Sequence, residues 1–108
     1  MAVTTITAPL PALNNLTLGA ANVCAKVVIP QGAAKVTLKA RLLAAKFAID
    51  TALTDGGALG ASAYVELVAD QAFEINLHGL AKTRADTGAF YLACAAGGVV
   101  VEILTEGG

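Results

Sequence analysis

The chain reads as an all-β protein: a small β-sandwich, jelly-roll or Greek-key-like, with an extended N-terminal arm. Three observations predict this. Short runs alternate apolar and polar residues with a period of two, the pattern of half-buried strands. Turn residues punctuate the runs at the short spacing of a sandwich, giving roughly eight strands. The one stretch rich in helix formers, Ala33 to Ile49, alternates too strictly for a helix, which would set Lys39 and Arg41 beside Val36 and Leu43 without a clean polar face.

Residues 1–22 form an arm or edge segment, and residues 23–108 the sandwich domain. Pro9 and Pro11 bracket Leu10 and remove two ladder donors, so this segment suits an edge rather than a sheet centre. Val23 to Ile29 carries only Lys26 as a charge. Phe90 to Cys94 is uncharged, and Val99 to Leu104 is interrupted only by Glu102. Strands apolar on both faces are covered twice, once by their own core and once by something else. From Lys35 to Leu42, Val36, Leu38, Ala40 and Leu42 point inward while Lys35, Thr37, Lys39 and Arg41 make a basic outer stripe. Lys46 to Asp50 repeats the alternation, and so does Phe73 to His78, with Phe73, Ile75 and Leu77 inward. Between the runs lie Ile29-Pro30-Gln31-Gly32, Asp55-Gly56-Gly57, Ala69-Asp70-Gln71, Arg84-Ala85-Asp86-Thr87-Gly88 and Gly97-Gly98, each with proline or glycine-type turn chemistry.

The composition is far more apolar than a free-standing domain needs. Of 108 residues, 56% are hydrophobic and 14% charged, with a mean hydropathy of +0.70; ordinary domains are about 25% charged. A chain of about 100 residues buries only some 60–70% of its unfolded surface. The surplus therefore faces water or another subunit, and it reads as an assembly surface. The net charge of −1 offers no global field for nucleic acid or an anionic membrane. No stretch of uninterrupted apolar residues reaches the roughly 18–20 of a membrane span. The start, Met1-Ala2-Val3-Thr4-Thr5, has neither the basic nor the apolar region of a signal peptide, so synthesis in a reducing cytosol is expected. Cys24 and Cys94 then read as small buried hydrophobes rather than a disulfide.

Signs of catalysis are scarce, and no enzyme activity, cofactor or metal is expected. His78 is the lone histidine, about 14 Å along its strand from Glu74 and too far to couple. Ser62 lacks the flanking glycine and helix of a nucleophile elbow. Two cysteines and one histidine, far apart, have no metal-ligand spacing. Gly56-Gly57-Ala58-Leu59-Gly60 has no following Lys-Ser or Lys-Thr, so it reads as a hairpin loop and not a phosphate cradle. The cations Lys35, Lys39 and Arg41, with Lys82 and Arg84, are not interleaved with aromatic rings, which argues against nucleic acid. They form either a solvated strand face that discourages edge pairing or a dock for an acidic protein surface.

The run Ile29-Pro30-Gln31-Gly32-Ala33-Ala34-Lys35-Val36-Thr37-Leu38-Lys39-Ala40-Arg41 resembles a strand of small tailed-phage virion proteins, of the form I-P-x-G-A-x-x-V-x-L-x-A-R. Phe90-Tyr91-Leu92-Ala93 with Val99-Val100-Val101-Glu102-Ile103-Leu104 is similar to their closing hairpin. Ala61-Ser62-Ala63-Tyr64 and Phe73-Glu74-Ile75 match the middle strands loosely, and the resemblance covers roughly residues 28–104. It implies a head decoration or capsid cement protein, bound to the major capsid protein on the virion surface, often as a trimer and without catalytic residues.

The expectation from the sequence is therefore a phage structural protein, made in the host cytoplasm, which self-associates and binds the major capsid protein. Neither nucleic acid nor a membrane is an expected partner. Candidate contact residues are Ile6, Leu10 and Leu16 in the arm, the stripe Lys35, Lys39 and Arg41, and Val100 and Leu104 on the last strand. A tail, baseplate or fibre-base component is one alternative. A small ligand- or carbohydrate-binding module is the other, with only Tyr64 and Tyr91 as exposed-aromatic candidates.

Overall fold

The structure is a computed structural model that describes residues 3–7, 10–30, 33–49, 53–60, 63–76 and 88–107. Among these residues there are nine strands and no helix. The strands are β1 (Thr4–Thr5), β2 (Ala12–Leu18), β3 (Ala25–Ile29), β4 (Ala33–Ala40), β5 (Ala45–Ala48), β6 (Val65–Leu67), β7 (Ala72–Asn76), β8 (Gly88–Ala93) and β9 (Val99–Gly107). No helix among the described residues is long and apolar enough to cross a membrane.

The pairing has a simple logic. Strands β2 to β5 run antiparallel to β9 to β6, pairing β2 with β9, β3 with β8, β4 with β7 and β5 with β6. This long hairpin is rolled so that β9 also pairs with β4, and β8 with β5. The result is a sheet β2-β9-β4-β7 packed on a sheet β3-β8-β5-β6, with β1 added in parallel beside β3. This is the strand order of a jelly roll, in which two sheets share one core.

Period-two alternation fills that core. Val27 and Ile29 from β3, Val36 and Leu38 from β4, Phe90 and Leu92 from β8, and Val101 and Ile103 from β9 are all fully buried. Phe47 of β5 meets Phe73 of β7 with ring centroids 6.4 Å apart and Phe90 of β8 at 5.3 Å, both tilted, so one ring ties the two sheets together. Each such side chain contributes roughly 1.5–3 kcal/mol by leaving water.

The N-terminal segment is extended and supplies edge strands, but it is woven into the sandwich and has no packing boundary at residue 22. Thr4 and Thr5 pair with Val27 and Val28, and the Ile6 amide donates to the Val28 carbonyl at 3.0 Å. The Ile6 side chain is in the core, with Leu10, Ala12 and Leu16 packed against it.

Two strand ends differ from the alternation. β4 stops at Ala40, so Leu42, expected inward, turns out with φ +69° and is 81% exposed. β5 stops at Ala48 and leaves Ile49 exposed. Leu77 and His78 lie outside the described residues, as do Ser62, Lys82 and Arg84.

Of the three runs expected to be covered twice, Phe90 to Cys94 is covered by the chain itself, and no described residue lays such a layer over Val99 to Leu104. Phe90, Leu92 and Cys94 face the core, while Tyr91 and Ala93 face away and join Cys24 and Ala48 beneath Leu53 and Leu59. The glycine-rich loop carrying Leu59 is fastened to the start of β3. The Cys24 amide donates to the Gly57 carbonyl and the Gly56 amide to the Cys24 carbonyl, both at 2.8 Å. Asp55 Oδ1 accepts from the Lys26 amide at 2.9 Å. Gly56, at φ +83°, makes the turn that a side chain would strain. Cys24 and Cys94 are free and buried. Cys24 directly precedes β3 and Cys94 directly follows its neighbour β8, but the two thiols belong to the layers on opposite faces of the sheet, so they do not meet.

Candidate assembly surface

Four short connections, β2–β3, β4–β5, β6–β7 and β8–β9, meet at one end of the sandwich. Hydrogen bonds hold them together in pairs. The Asn22 amide donates to the Cys94 carbonyl at 2.6 Å and the Gly98 amide to the Leu18 carbonyl at 2.7 Å, joining the first connection to the last. The Asp70 amide donates to the Ala40 carbonyl at 2.7 Å, and Asp70 Oδ1 accepts from the Leu42 amide at 3.1 Å, joining the middle two. The Arg41 amide, donating to the Val100 carbonyl at 2.9 Å, links the pairs.

Each connection turns on one residue in the left-handed region: Asn22, Leu42, Asp70 and Gly98. Asparagine, aspartate and glycine tolerate that conformation, whereas leucine is strained in it by about 1–2 kcal/mol. Leu42 is held there by the Asp70 carboxylate, with its side chain pointing to water. The surface is almost without free charge. It presents Gly19, Ala20 and Ala21, then Leu42, Leu43 and Val68, then Ala95, Ala96, Gly97 and Gly98, all exposed apart from their hydrogen-bonded backbone. Its two charged groups are engaged, Asp70 with Leu42 and Arg41 with Glu102. Gly97 must be small, because a Cβ there would lie 2.8 Å from the Gly19 carbonyl oxygen. The outcome is a flat, small-residue platform with a leucine ridge.

The outer face of the β2-β9-β4-β7 sheet has a different character. Lys35 lies between Glu74 of β7, at 3.6 Å, and Glu106 of β9, at 3.5 Å. Glu106 and then Glu74 raise the Lys35 pKa above its ordinary value. Arg41 pairs with Glu102, and Lys39 stands opposite Glu102 in the ladder. The basic stripe is therefore neutralised by glutamates from the flanking strands. It lies on a central strand and not on an edge. Leu13, Thr37, Lys39, Ala72, Glu102 and Leu104 surround a shallow hollow of about 230 Å³ on this face. A second hollow of about 200 Å³ lies by the β6 edge, lined by Phe47, Ala48, Ile49, Ala63, Tyr64 and Val65, with the Lys46 ammonium 4.8 Å from the Tyr64 ring centroid.

The residues expected to make contacts are thus scattered. Ile6 is consumed by the core, and Leu10 and Leu16 are half-buried against it. Lys35, Lys39, Arg41, Val100 and Leu104 share one outer face, half-buried or, for Arg41, exposed. The sequence reading missed Leu13, Leu43, Val68 and the alanine–glycine connections, and it placed Leu42 inward. The doublet Leu42-Leu43 right after Arg41 was the available signal, since two adjacent apolar residues cannot both face one core. Burial raises the pKa of the Cys24 thiol, so it is no activated nucleophile. No group of three or more metal-ligating side chains occurs among the described residues. Comparison with protein-family models, with curated proteins and with solved structures found no match.

Proposed function

We propose that this chain is a phage virion structural protein that docks on the major capsid protein through its four-connection end and self-associates around the docked site. The observation that carries the reading is that platform. A folded chain with a filled core still presents Leu42 at 81% exposure, with Leu43 and Val68 also exposed. It holds one of them in a strained backbone conformation to do so. Exposed apolar surface of this kind marks contact with another macromolecule. The small, hydrogen-bonded residues around the ridge need no ordering on contact, which lowers the entropic cost of binding. Repetition over a capsid lattice turns a modest contact into firm attachment. Jelly rolls also serve as lectins, but the two hollows on the described surface are each smaller than the roughly 300–1,000 Å³ of an ordinary ligand pocket.

Quantitative mass spectrometry of purified particles, with cryo-EM of the same sample, tests the proposal. Hundreds of copies over the head, with the Leu42–Leu43 end against the shell, are expected. A few copies at the tail would move the protein to the tail or baseplate, and absence from particles would overturn both. Leu42→Asn sharpens the test, because asparagine accepts the left-handed turn. Occupancy on particles should fall while the free protein keeps or slightly gains stability. Unchanged occupancy would remove the ridge from the contact.

A further inference from the structure

Each sheet has two edges, and the four differ in how well they are protected against pairing. β1 has two residues, β6 has three and carries Glu66, and β7 carries Glu74. Shortness and charge are the usual protections of an edge. β2 has neither. It is seven residues long, Ala12-Leu13-Asn14-Asn15-Leu16-Thr17-Leu18, without a charge or an internal proline, and its register with β9 runs unbroken from Ala12 to Leu18. β1 extends the opposite sheet by a fifth strand beyond β3, whereas the sheet ending in β2 has only four.

We infer that β2 is the self-association edge, and that two copies of this chain join their β2 strands antiparallel about a two-fold axis at Asn15. A second copy fits this edge better than any other occupant because the strand is complementary to itself. Centring the pair on Asn15 sets Ala12 opposite the partner's Leu18, Leu13 opposite the partner's Thr17, and Asn14 opposite the partner's Leu16. No charge meets its like. The same operation at β6 or β7, centred on the middle residue, would set Glu66 or Glu74 against itself, which is unfavourable.

Two further observations agree. Leu13, on the outer face of β2, is 71% exposed, the most exposed large apolar side chain after Leu42 among the described residues. The pairing would cover it against the partner's Thr17. Asn14 faces inward, and its Oδ1 is buried without a hydrogen-bond partner. A buried acceptor left unpaired costs about 1–3 kcal/mol. In the two-fold register Asn14 and the partner's Asn14 are diagonal neighbours on one face, a separation two carboxamides can bridge. Turning each Asn14 carboxamide toward the strand edge lets its Nδ2 donate to the other Oδ1. The inference rests on the self-association in the proposed function, puts a two-fold pair in place of the trimer that the resemblance implies, and is tested on the free chain. A free chain that does not pair this way overturns it and leaves capsid docking to the particle measurements.

Sedimentation equilibrium of the full-length protein, with three variants, decides the matter. The native chain should dimerise reversibly. Asn15→Lys places two ammonium groups opposite each other and should weaken the dimer by at least about tenfold, with far-UV circular dichroism unchanged because Asn15 is exposed. Ala72→Glu, a single charge of the opposite sign placed on the β7 edge opposite Lys39, should leave the dimer intact. Under mild oxidation Asn15→Cys should cross-link two copies, whereas Thr17→Cys, distant from its own counterpart in this register, should not. A monomeric native chain, a dimer indifferent to Asn15→Lys, or cross-linking through Thr17→Cys in place of Asn15→Cys would each overturn the inference.

Discussion

The outer faces of the two sheets start from similar strands and finish differently. β8 and β9 are both apolar on alternate outward positions, with Tyr91 and Ala93 on one and Val100 and Leu104 on the other. Over β8 the chain lays Leu53 and Leu59, fastened by the glycine-rich loop, and closes a second small core. Over β9 no described residue forms such a layer, and the face carries the ion pairs of Lys35 and Arg41 around a shallow hollow. The difference shows where the apolar surplus goes. Part of it is spent inside the molecule on the β8 side. Of the remainder, Leu13 lies on the β2 edge and Leu42, Leu43 and Val68 at the four-connection end, where no described residue covers them, while Ile49, Tyr64 and Val65 lie by the β6 edge.

Substitutions can break that comparison, beginning with the largest effect. Phe90→Ala removes a fully buried ring from between the sheets and should cost about 3–5 kcal/mol. Chemical denaturation would measure it, and a loss below about 2 kcal/mol would mean the shared core is not as described. Leu59→Ala should cost about 2 kcal/mol, the low end for a buried leucine, because it opens the outer layer only. Leu13→Ala, on the bare face, should change the stability of the monomer by no more than about 0.5 kcal/mol. Equal effects at Leu59 and Leu13 would erase the distinction between a covered and an uncovered face.

Thr105→Val carries the opposite sign. Thr105 is fully buried on the inner side of β9, and its Oγ1 has no hydrogen-bond partner. Replacing the hydroxyl with a methyl of similar shape should raise stability by about 1 kcal/mol. A loss of stability on thermal unfolding would mean that the hydroxyl is hydrogen-bonded in solution.

The smallest effect is the response to alkali. Burial raises the Cys24 pKa above 9.0, and Glu106 and Glu74 raise that of Lys35 above 10.5. In both cases the unfolded chain gives up its proton first. The stability each group contributes is complete below its unfolded value and is lost as pH climbs through the folded one. The protein should therefore lose stability from about pH 9 upward, first through Cys24 and then through Lys35. Cys24→Ala should flatten the first part of that decline. An unaltered profile would place the Cys24 thiol in contact with solvent.

Much of the fold was legible because period two is a local property. The inward faces of Lys35 to Ala40 and Phe73 to Ile75 follow from residue types alone, and prolines 9 and 11 marked the edge character of the strand that follows them. What escaped the sequence depends on partners distant along the chain. The alternation runs on through Leu42 by residue type, yet the strand ends because Asp70, 28 residues away, captures the Leu42 amide. The stripe Lys35, Lys39 and Arg41 looked cationic because its glutamates lie on two other strands, and only the register brings them together. The platform was hidden for the same reason. Gly19 to Ala21 and Ala95 to Gly98 look like ordinary turns until the rolled hairpin places them side by side.

Hydrogen exchange on the free chain and on the same chain in purified particles tests most directly whether this leftover surface is for assembly. Added protection is expected in particles at Leu42–Leu43 and in the connections beside them, with concentration-dependent protection along Ala12–Leu18. The loop carrying Leu59 should be unchanged, since Leu53 and Leu59 are already buried. Protection gained chiefly at that loop, with Leu42–Leu43 and Ala12–Leu18 exchanging as they do in the dilute free chain, would contradict it.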